Sequence, residues 1–315
     1  RVMVHSWDDE YIYAVEDSVQ PRKRTICYSS GNKYLQGGDW SYIGKLLKER
    51  QQINLVAVRE FDDVWMPELI IVEPDILIDV SSVASCLEHY GDSPYTYLLN
   101  RIKPNETTEP MIIGNFAGLL LDNALQPAHR RRTYKECAVE FFQRNALQIA
   151  TADLSAEFHA EGQRQNHNIH DALYGDWSSE VFGFDSAKVI TEPSFFCEQL
   201  GLQGRMDFLQ LDYSVLMEQK SGKGAFPPNP NPNIPNPQSK HYAQMIMYMA
   251  ILHYNFGMKN ANAYLLYSKY AKGLLGLGPA PNLLYRSVRM RNQLAWMERE
   301  MAQTDLAERV LRNIR

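Results

Sequence analysis

Asp207 and the run Glu218-Gln219-Lys220 flank the apolar stretch FLQLDYSVLM. A two-residue turn at Asp212-Tyr213, between Leu211 and Ser214, folds that stretch into a hairpin with Asp207 directly opposite Glu218. Side chains so opposed on one face lie about 4.5–5.5 Å apart at Cβ. Alternation along the strand puts Lys220 on the same face as Glu218 and turns Gln219 the other way. The pattern predicts two carboxylates and one ammonium on a single patch. Two close carboxylates repel unless positive charge sits with them. Lys220 supplies part of that charge, and a hard divalent cation supplies it better. Mg²⁺ typically takes one or two protein carboxylates and completes its shell with water and substrate phosphate. Such a cation lowers the pKa of a bound water and steadies charge on a phosphoryl oxygen. On this reading Asp207 and Glu218 bind Mg²⁺ or Mn²⁺, helped by the Gln219 backbone carbonyl. Lys220 orients or deprotonates the water, or stabilises the developing phosphorane. The same spacing also fits a plain salt-bridged hairpin.

Two further patterns surround this one. Gly201, Gly204, Arg205 and Asp207 spell G-x-x-G-R-x-D, and Glu218, Lys220, Ser221, Gly222 and Lys223 spell E-x-K-S-G-K. Downstream, His241, Gln244 and Tyr248 recur at i, i+3 and i+7, which places polar groups on one face of an otherwise apolar helix. In this order the motifs resemble the PD-(D/E)XK nuclease superfamily, in particular its RecB-like branch and the nuclease domain of the flap-processing helicase-nucleases. The resemblance spans about residues 65 to 270 and is specific only at the motifs. It implies a restriction-endonuclease-like α/β core, a mixed central sheet flanked by helices. It also implies metal-dependent hydrolysis of single-stranded or flap DNA in replication or repair, with a helicase fused or bound nearby. Gln244 and Tyr248 would organise the site and contact DNA, and His241, Arg205, Ser221 and Lys223 would join them at the nucleic acid.

The resemblance has departures. The branch carries a helix reading G-N-x-x-H whose histidine assists the metal. Here the run is Gly114-Asn115-Phe116-Ala117-Gly118. Asp122, one turn on, is a candidate substitute, as are Glu157 and His159. Cys86 matches the first of four iron–sulfur ligands in that family, but no cysteine follows Cys197, so no cluster is expected. The competing expectation is a degenerate nuclease fold serving as a DNA-binding scaffold in a helicase complex. A CRISPR-adaptation exonuclease ranks lower, because those usually keep the cluster cysteines.

The rest of the chain sets bounds. It has 315 residues, 45% hydrophobic and 22% charged, which is ordinary for a globular protein. Its net charge of −5, from 32 basic and 37 acidic residues, gives no global signature for nucleic acid. Local basic clusters occur at Arg22-Lys23-Arg24, at Arg130-Arg131-Arg132, and at Arg286, Arg289 and Arg291. The four cysteines, Cys27, Cys86, Cys137 and Cys197, form no C-x-x-C pair and read as reduced thiols of a cytoplasmic protein. No apolar run reaches membrane-spanning length, and no signal-peptide core opens the chain. No P-loop motif occurs. The start at Arg1 suggests a fragment of a longer chain.

Residues 1–80 read as a small β-rich, barrel-like unit, from YIYAVE, RTICYSS, INLVAVREF and ELIIVEPDILIDV. SYIGKLLKERQ reads as a helix between strands, and Pro74 as a break or an edge. Residues 81–285 form the expected core. Its helices begin at the serines of SSVASCLEHY, continue in MIIGNFAGLLLDNAL and in one long helix TYKECAVEFFQRNALQIATADLSAEFHAEGQ, then give way to the connection GQRQNHNIHDALYGDWSSE. Three strands are expected in VITEPSFFCEQL, GLQGRMDFLQL and SVLMEQK. A polyproline-like loop follows at 227–238, then an apolar helix stopped by Gly257 and a strand in NANAYLLYSKY. Residues 286–315 read as a C-terminal helical segment, with Leu306, Val310 and Ile314 on one face.

Overall fold

The computed structural model describes residues 1–38, 40–104, 106–179 and 182–303. The N-terminal strands are β1 (Val2–Trp7), β2 (Tyr11–Glu16), β3 (Lys23–Cys27), β4 (Gln52–Val56), β5 (Arg59–Phe61), β6 (Val64–Met66) and β7 (Leu69–Val72). Next come β8 (Ile78–Asp79), α1 (Val80–Ser85), β9 (Leu87–Glu88), β10 (Gly91–Asp92), α2 (Tyr95–Ile102) and α3 (Glu109–Leu125). Then follow α4 (Tyr134–Arg144), α5 (Ala146–Thr151), α6 (Phe158–Tyr174) and α7 (Asp176–Ser179). The last group is β11 (Val189–Thr191), β12 (Ser194–Cys197), β13 (Leu202–Arg205), β14 (Phe208–Gln210), β15 (Val215–Lys220), α8 (Ser239–Phe256), β16 (Asn262–Tyr267), β17 (Leu274–Leu277) and α9 (Pro281–Gln303).

The first seven strands make one sheet in the order β5-β6-β3-β2-β1-β4-β7. Alternation in β1 buries Val2 and Val4 and exposes Met3 and His5, so one face is packed. The expected barrel is not there: β5 and β7 are free edges that do not pair, and the sheet stays open. Pro74 breaks the chain as expected, because β7 ends at Val72 and β8 joins a different sheet beside β13. The helix expected at 41–51 is only a 3₁₀ turn, Ser41–Lys45, around the buried Ile43. α1 is capped by Asp79, whose carboxylate accepts from the Ser81 N–H (2.8 Å), rather than by a serine.

The long helix expected at 133–163 is three helices. Thr133 and Glu136 form a capping box that starts α4, and Asn145 ends it, donating its side-chain amide to the Phe141 carbonyl (2.9 Å). The stretch expected as a connection supplies most of α6. Its polar residues Gln165 and Asn168 are buried, because they bond across to the sheet. The three expected strands are five, β11 to β15. Glu192 (φ 51°) and Pro193 separate the first pair, and Met206-Asp207 the second.

A mixed sheet in the order β11-β14-β15-β16-β17 lies at the centre, with β15 and β16 parallel. Helix α8 covers one face, where Leu209, Leu216 and Leu265 share a core with Ala243, Met247 and Ile251. Helices α3 and α6 cover the other, where Phe208, Val215, Met217 and Leu266 meet Phe116, Leu120 and Ile169. Two apolar faces covered by helices make a three-layer α/β arrangement.

The expected boundaries at 80 and 286 cut through a shared core. α9 packs on β7, and its Asn292 donates to the Ile70 carbonyl (2.8 Å) and accepts from the Val72 N–H (3.0 Å). Arg291 is fully buried and donates to the carbonyls of Val72, Glu73, Ile76 and Gly201. Burial pushes this guanidinium down to about 9, so it stays protonated at neutral pH. Gly201 has φ +62°, and a Cβ there would collide with the Arg291 guanidinium. Leu306, Val310 and Ile314 lie outside the described residues. No helix among the described residues is long and apolar enough to cross a membrane. Replacing Arg291 by Ala takes a donor from four carbonyls at once, of which Gly201 and Glu73 keep the backbone N–H groups of Ile78 and Ile76. We expect it to lower stability by on the order of 3–5 kcal/mol, read as a reduced urea midpoint.

Candidate active site

Strand β15 changes character along its length. Val215, Leu216 and Met217 are buried apolar residues, and Glu218, Gln219 and Lys220 follow at its C-terminal end. Leu216 faces α8, so Glu218 and Lys220 project to that side too. Strand β14 pairs with β15 in the register Phe208↔Met217 and Leu209↔Leu216, the register the sequence predicts. One step further sets Asp207 opposite Glu218. There the ladder stops. Met206 gives its N–H to the Pro193 carbonyl (3.1 Å), and the Gln219 N–H goes to Asp207 Oδ2 (2.7 Å). The strands part at Asp207, and a cleft of about 440 Å³ opens there.

Asp207, Glu218, Gln219 and Lys220 all line this cleft. Glu218 Oε1 accepts from Lys220 Nζ (2.9 Å) and from Gln244 Nε2 (2.7 Å). Lys220 Nζ also donates to Gln244 Oε1 (2.9 Å). Gln244 Nε2 reaches the Tyr248 hydroxyl (3.2 Å), which donates to the Arg205 carbonyl (2.6 Å). Gly204 makes this possible: a Cβ there would lie 2.9 Å from the Tyr248 ring. Glu218 Oε2 is buried and has no hydrogen-bond partner among the described residues. A buried carboxylate oxygen without a donor is costly, and a cation is one way to satisfy it.

The electrostatics agree. Burial pushes Glu218 up to about 7 from its ordinary 4.5, against the pull of Lys220 and with a further push from Asp207. Asp207 is also raised by burial, opposed by the Gln219 N–H and Lys220. The Gln219 N–H points to Asp207, while the Lys220 carbonyl takes the Ser268 N–H (3.0 Å) on the β16 side. Backbone alternation therefore sets the Gln219 carbonyl on the Asp207 side. Two carboxylates and that carbonyl are the donor set a hard dication would meet. Among the described residues, no group of three or more His, Cys, Asp and Glu could hold a metal ion.

The other expected residues divide. Ser221 and Lys223 line the cleft, and Lys240, which sequence reasoning missed, joins them. His241 also lines it, with Nδ1 2.8 Å from the Tyr267 hydroxyl; burial, then Lys220 and Lys240, push it down to about 3, so it is neutral. Tyr248 is 2% exposed, so it supports Gln244 and β13 and does not reach a polymer in the cleft. Arg205 is outside the cleft lining and pairs with Glu192 (3.2 Å) at the surface. Gly118 lines the cleft with nothing within 4 Å of where a Cβ would stand. Asp122 is half-buried and pushed up to about 6 by burial, then by Glu192 and Asp207. Glu157 is exposed and His159 stacks on Phe142 (5.2 Å) beside another hollow; neither lines the cleft. The basic clusters hold internal partners: Arg24 with Glu16, Arg132 with Glu140, Arg286 with Asp92, and Arg291 in the core. All four cysteines are buried free thiols.

Sequence reasoning also missed the support behind β15. Gln165 Nε2 donates to the Ser221 carbonyl (3.1 Å), and Ser268 Oγ donates to Gln165 Oε1 (2.6 Å). Gln219 Nε2 donates to Ser268 Oγ (3.1 Å), and Asn168 Nδ2 to the Ser268 carbonyl (2.9 Å). The signal was present: Gln165 falls on the stripe Phe158, Gly162, Ile169 and Ala172, the buried face of α6. No family model matches the chain, and no curated protein matches it.

Glu218 yields a pH prediction. Its raised pKa means the folded state holds the proton more tightly than the unfolded chain. Its contribution is therefore favourable at low pH and is lost as pH rises from 4.5 through about 7. Glu218→Gln is neutral at every pH and keeps an acceptor for Lys220 and Gln244. We expect the variant to match wild type near pH 5 and to be more stable by about 3 kcal/mol near pH 8, measured by thermal unfolding without divalent ions.

Proposed function

We propose that the chain is a metal-dependent deoxyribonuclease domain with a restriction-endonuclease-like core, hydrolysing phosphodiester bonds of single-stranded or flap DNA. The observation that carries this reading is the unpartnered, buried Glu218 Oε2 beside Asp207, on a cleft that Lys220 shares. Asp207, Glu218 and the Gln219 carbonyl would hold Mg²⁺ or Mn²⁺. The chemistry such an ion supplies is an activated water and stabilised phosphoryl charge.

The remaining work falls to this chain's own groups. Gln244 holds Glu218 and Lys220 together, so the ammonium is fixed at the cleft instead of swinging free. There it stabilises charge on the phosphoryl oxygens. Lys223 and Lys240 draw the phosphate backbone to the cleft. Tyr248 keeps Gln244 in register with β13.

A second reading, a DNA-binding scaffold with a degenerate nuclease fold, is favoured by Gly118, where the resembling family has its histidine. One assay separates the two. With a labelled single-stranded oligonucleotide and Mg²⁺ or Mn²⁺, we expect cleavage by wild type and a loss of at least about 100-fold for Lys220→Ala. No cleavage by either protein supports the scaffold. Gly118→His fits the open space at that position, and we expect it to raise the thermal midpoint gained on adding Mn²⁺.

A further inference from the structure

Phe226 is 85% exposed, three residues beyond Lys223 of the cleft. Its exposure does not come from a loose loop. The Pro/Asn segment after it is tied at many points. The Ala225 N–H donates to the Asn236 carbonyl (2.7 Å), and Asn236 Nδ2 donates to the Pro227 carbonyl (2.9 Å). Asn229 Nδ2 donates to Asn236 Oδ1 (3.2 Å). Outside the segment, the Gly224 N–H donates to the Tyr270 hydroxyl (3.1 Å) and the Lys272 N–H to the Asn233 carbonyl (2.9 Å). Gln238 Nε2 closes the base on the Lys223 carbonyl (2.6 Å). Gly224 lies so close that a Cβ would meet the Asn236 carbonyl at 2.7 Å. The loop thus holds an aromatic ring out in water from a fixed base.

We infer that Phe226 is a stacking platform for a base of single-stranded DNA whose phosphates run past Lys223 and Lys240, an inference that deepens the nuclease reading and rests on it. The Cα atoms of Phe226 and Lys223 are at most about 11 Å apart, a span of one to two nucleotides. Cations lining a groove and an exposed aromatic ring a few residues along the chain are the parts that bind single strands without reading sequence. A duplex keeps its bases stacked inside and offers the ring no free face.

The test is binding of a fluorescent oligo-dT to the whole chain in EDTA, where no metal supports cleavage. We expect Phe226→Ala to weaken binding about fivefold or more. Phe226→Trp should restore it, with its indole emission quenched by the oligomer. Rescue by Trp separates stacking from collapse of the loop. A base-free sugar-phosphate oligomer should bind wild type and Phe226→Ala alike. Equal affinity of wild type and Phe226→Ala for oligo-dT, or an equal loss with the base-free oligomer, overturns the inference. The two readings fail separately. Cleavage with no effect of Phe226→Ala removes the platform alone; loss of oligo-dT binding in a chain that never cleaves leaves the platform and removes the nuclease.

Discussion

The Asp207 carboxylate takes a backbone hydrogen bond that a continuing strand would otherwise take. With the Gln219 N–H engaged by a side chain, β14 leaves β15 one residue early. A sheet that stayed zipped would have no cleft at that point. The splitting of the ladder turns a hairpin register into an open cleft. It also explains why Glu218 can be deeply buried and still line an opening: it stands at the first position where its neighbour has moved away.

The surroundings serve that split. On one side, α8 sends Gln244 and Tyr248 to clamp Glu218, Lys220 and β13. On the other, α6 and Ser268 fasten the end of β15 through its own carbonyls and through Gln219. Further out, α9 binds the N-terminal sheet to the β13 strand through Arg291, which bridges the β7–β8 connection and Gly201. Gly201 opens the same strand that leads to Asp207. The N-terminal sheet is thus mechanically continuous with the site rather than appended to it.

How much of this was legible in the sequence differs by element. The hairpin register could be read because the alternation FLQ/VLM leaves one pairing that buries both faces. The connection itself is a loop over 211–214, with the Tyr213 N–H on the Gln210 carbonyl, and not the two-residue turn expected at Asp212-Tyr213. The face shared by Glu218 and Lys220 followed from strand period alone. The polar face of α8 was visible because Gln244 and Tyr248 interrupt an apolar helix. Other parts depended on distant partners. Gln165 and Asn168 looked like a solvated connection because their acceptors and donors lie about a hundred positions away in sequence, at Ser268. Arg291 read as one charge in a basic cluster, and only the tertiary fold supplies its carbonyls. The open N-terminal sheet depended on α9 covering β7, which strand patterns cannot announce.

His241 sits in a cleft with two carboxylates and three lysines, yet its ring is kept neutral by burial and by the ammonium groups near it. Imidazole is the side chain whose charge ordinarily changes around physiological pH. In this cleft that role is removed from it. Near neutrality the change in the cleft's charge falls instead to Glu218, whose carboxyl burial raises to about 7.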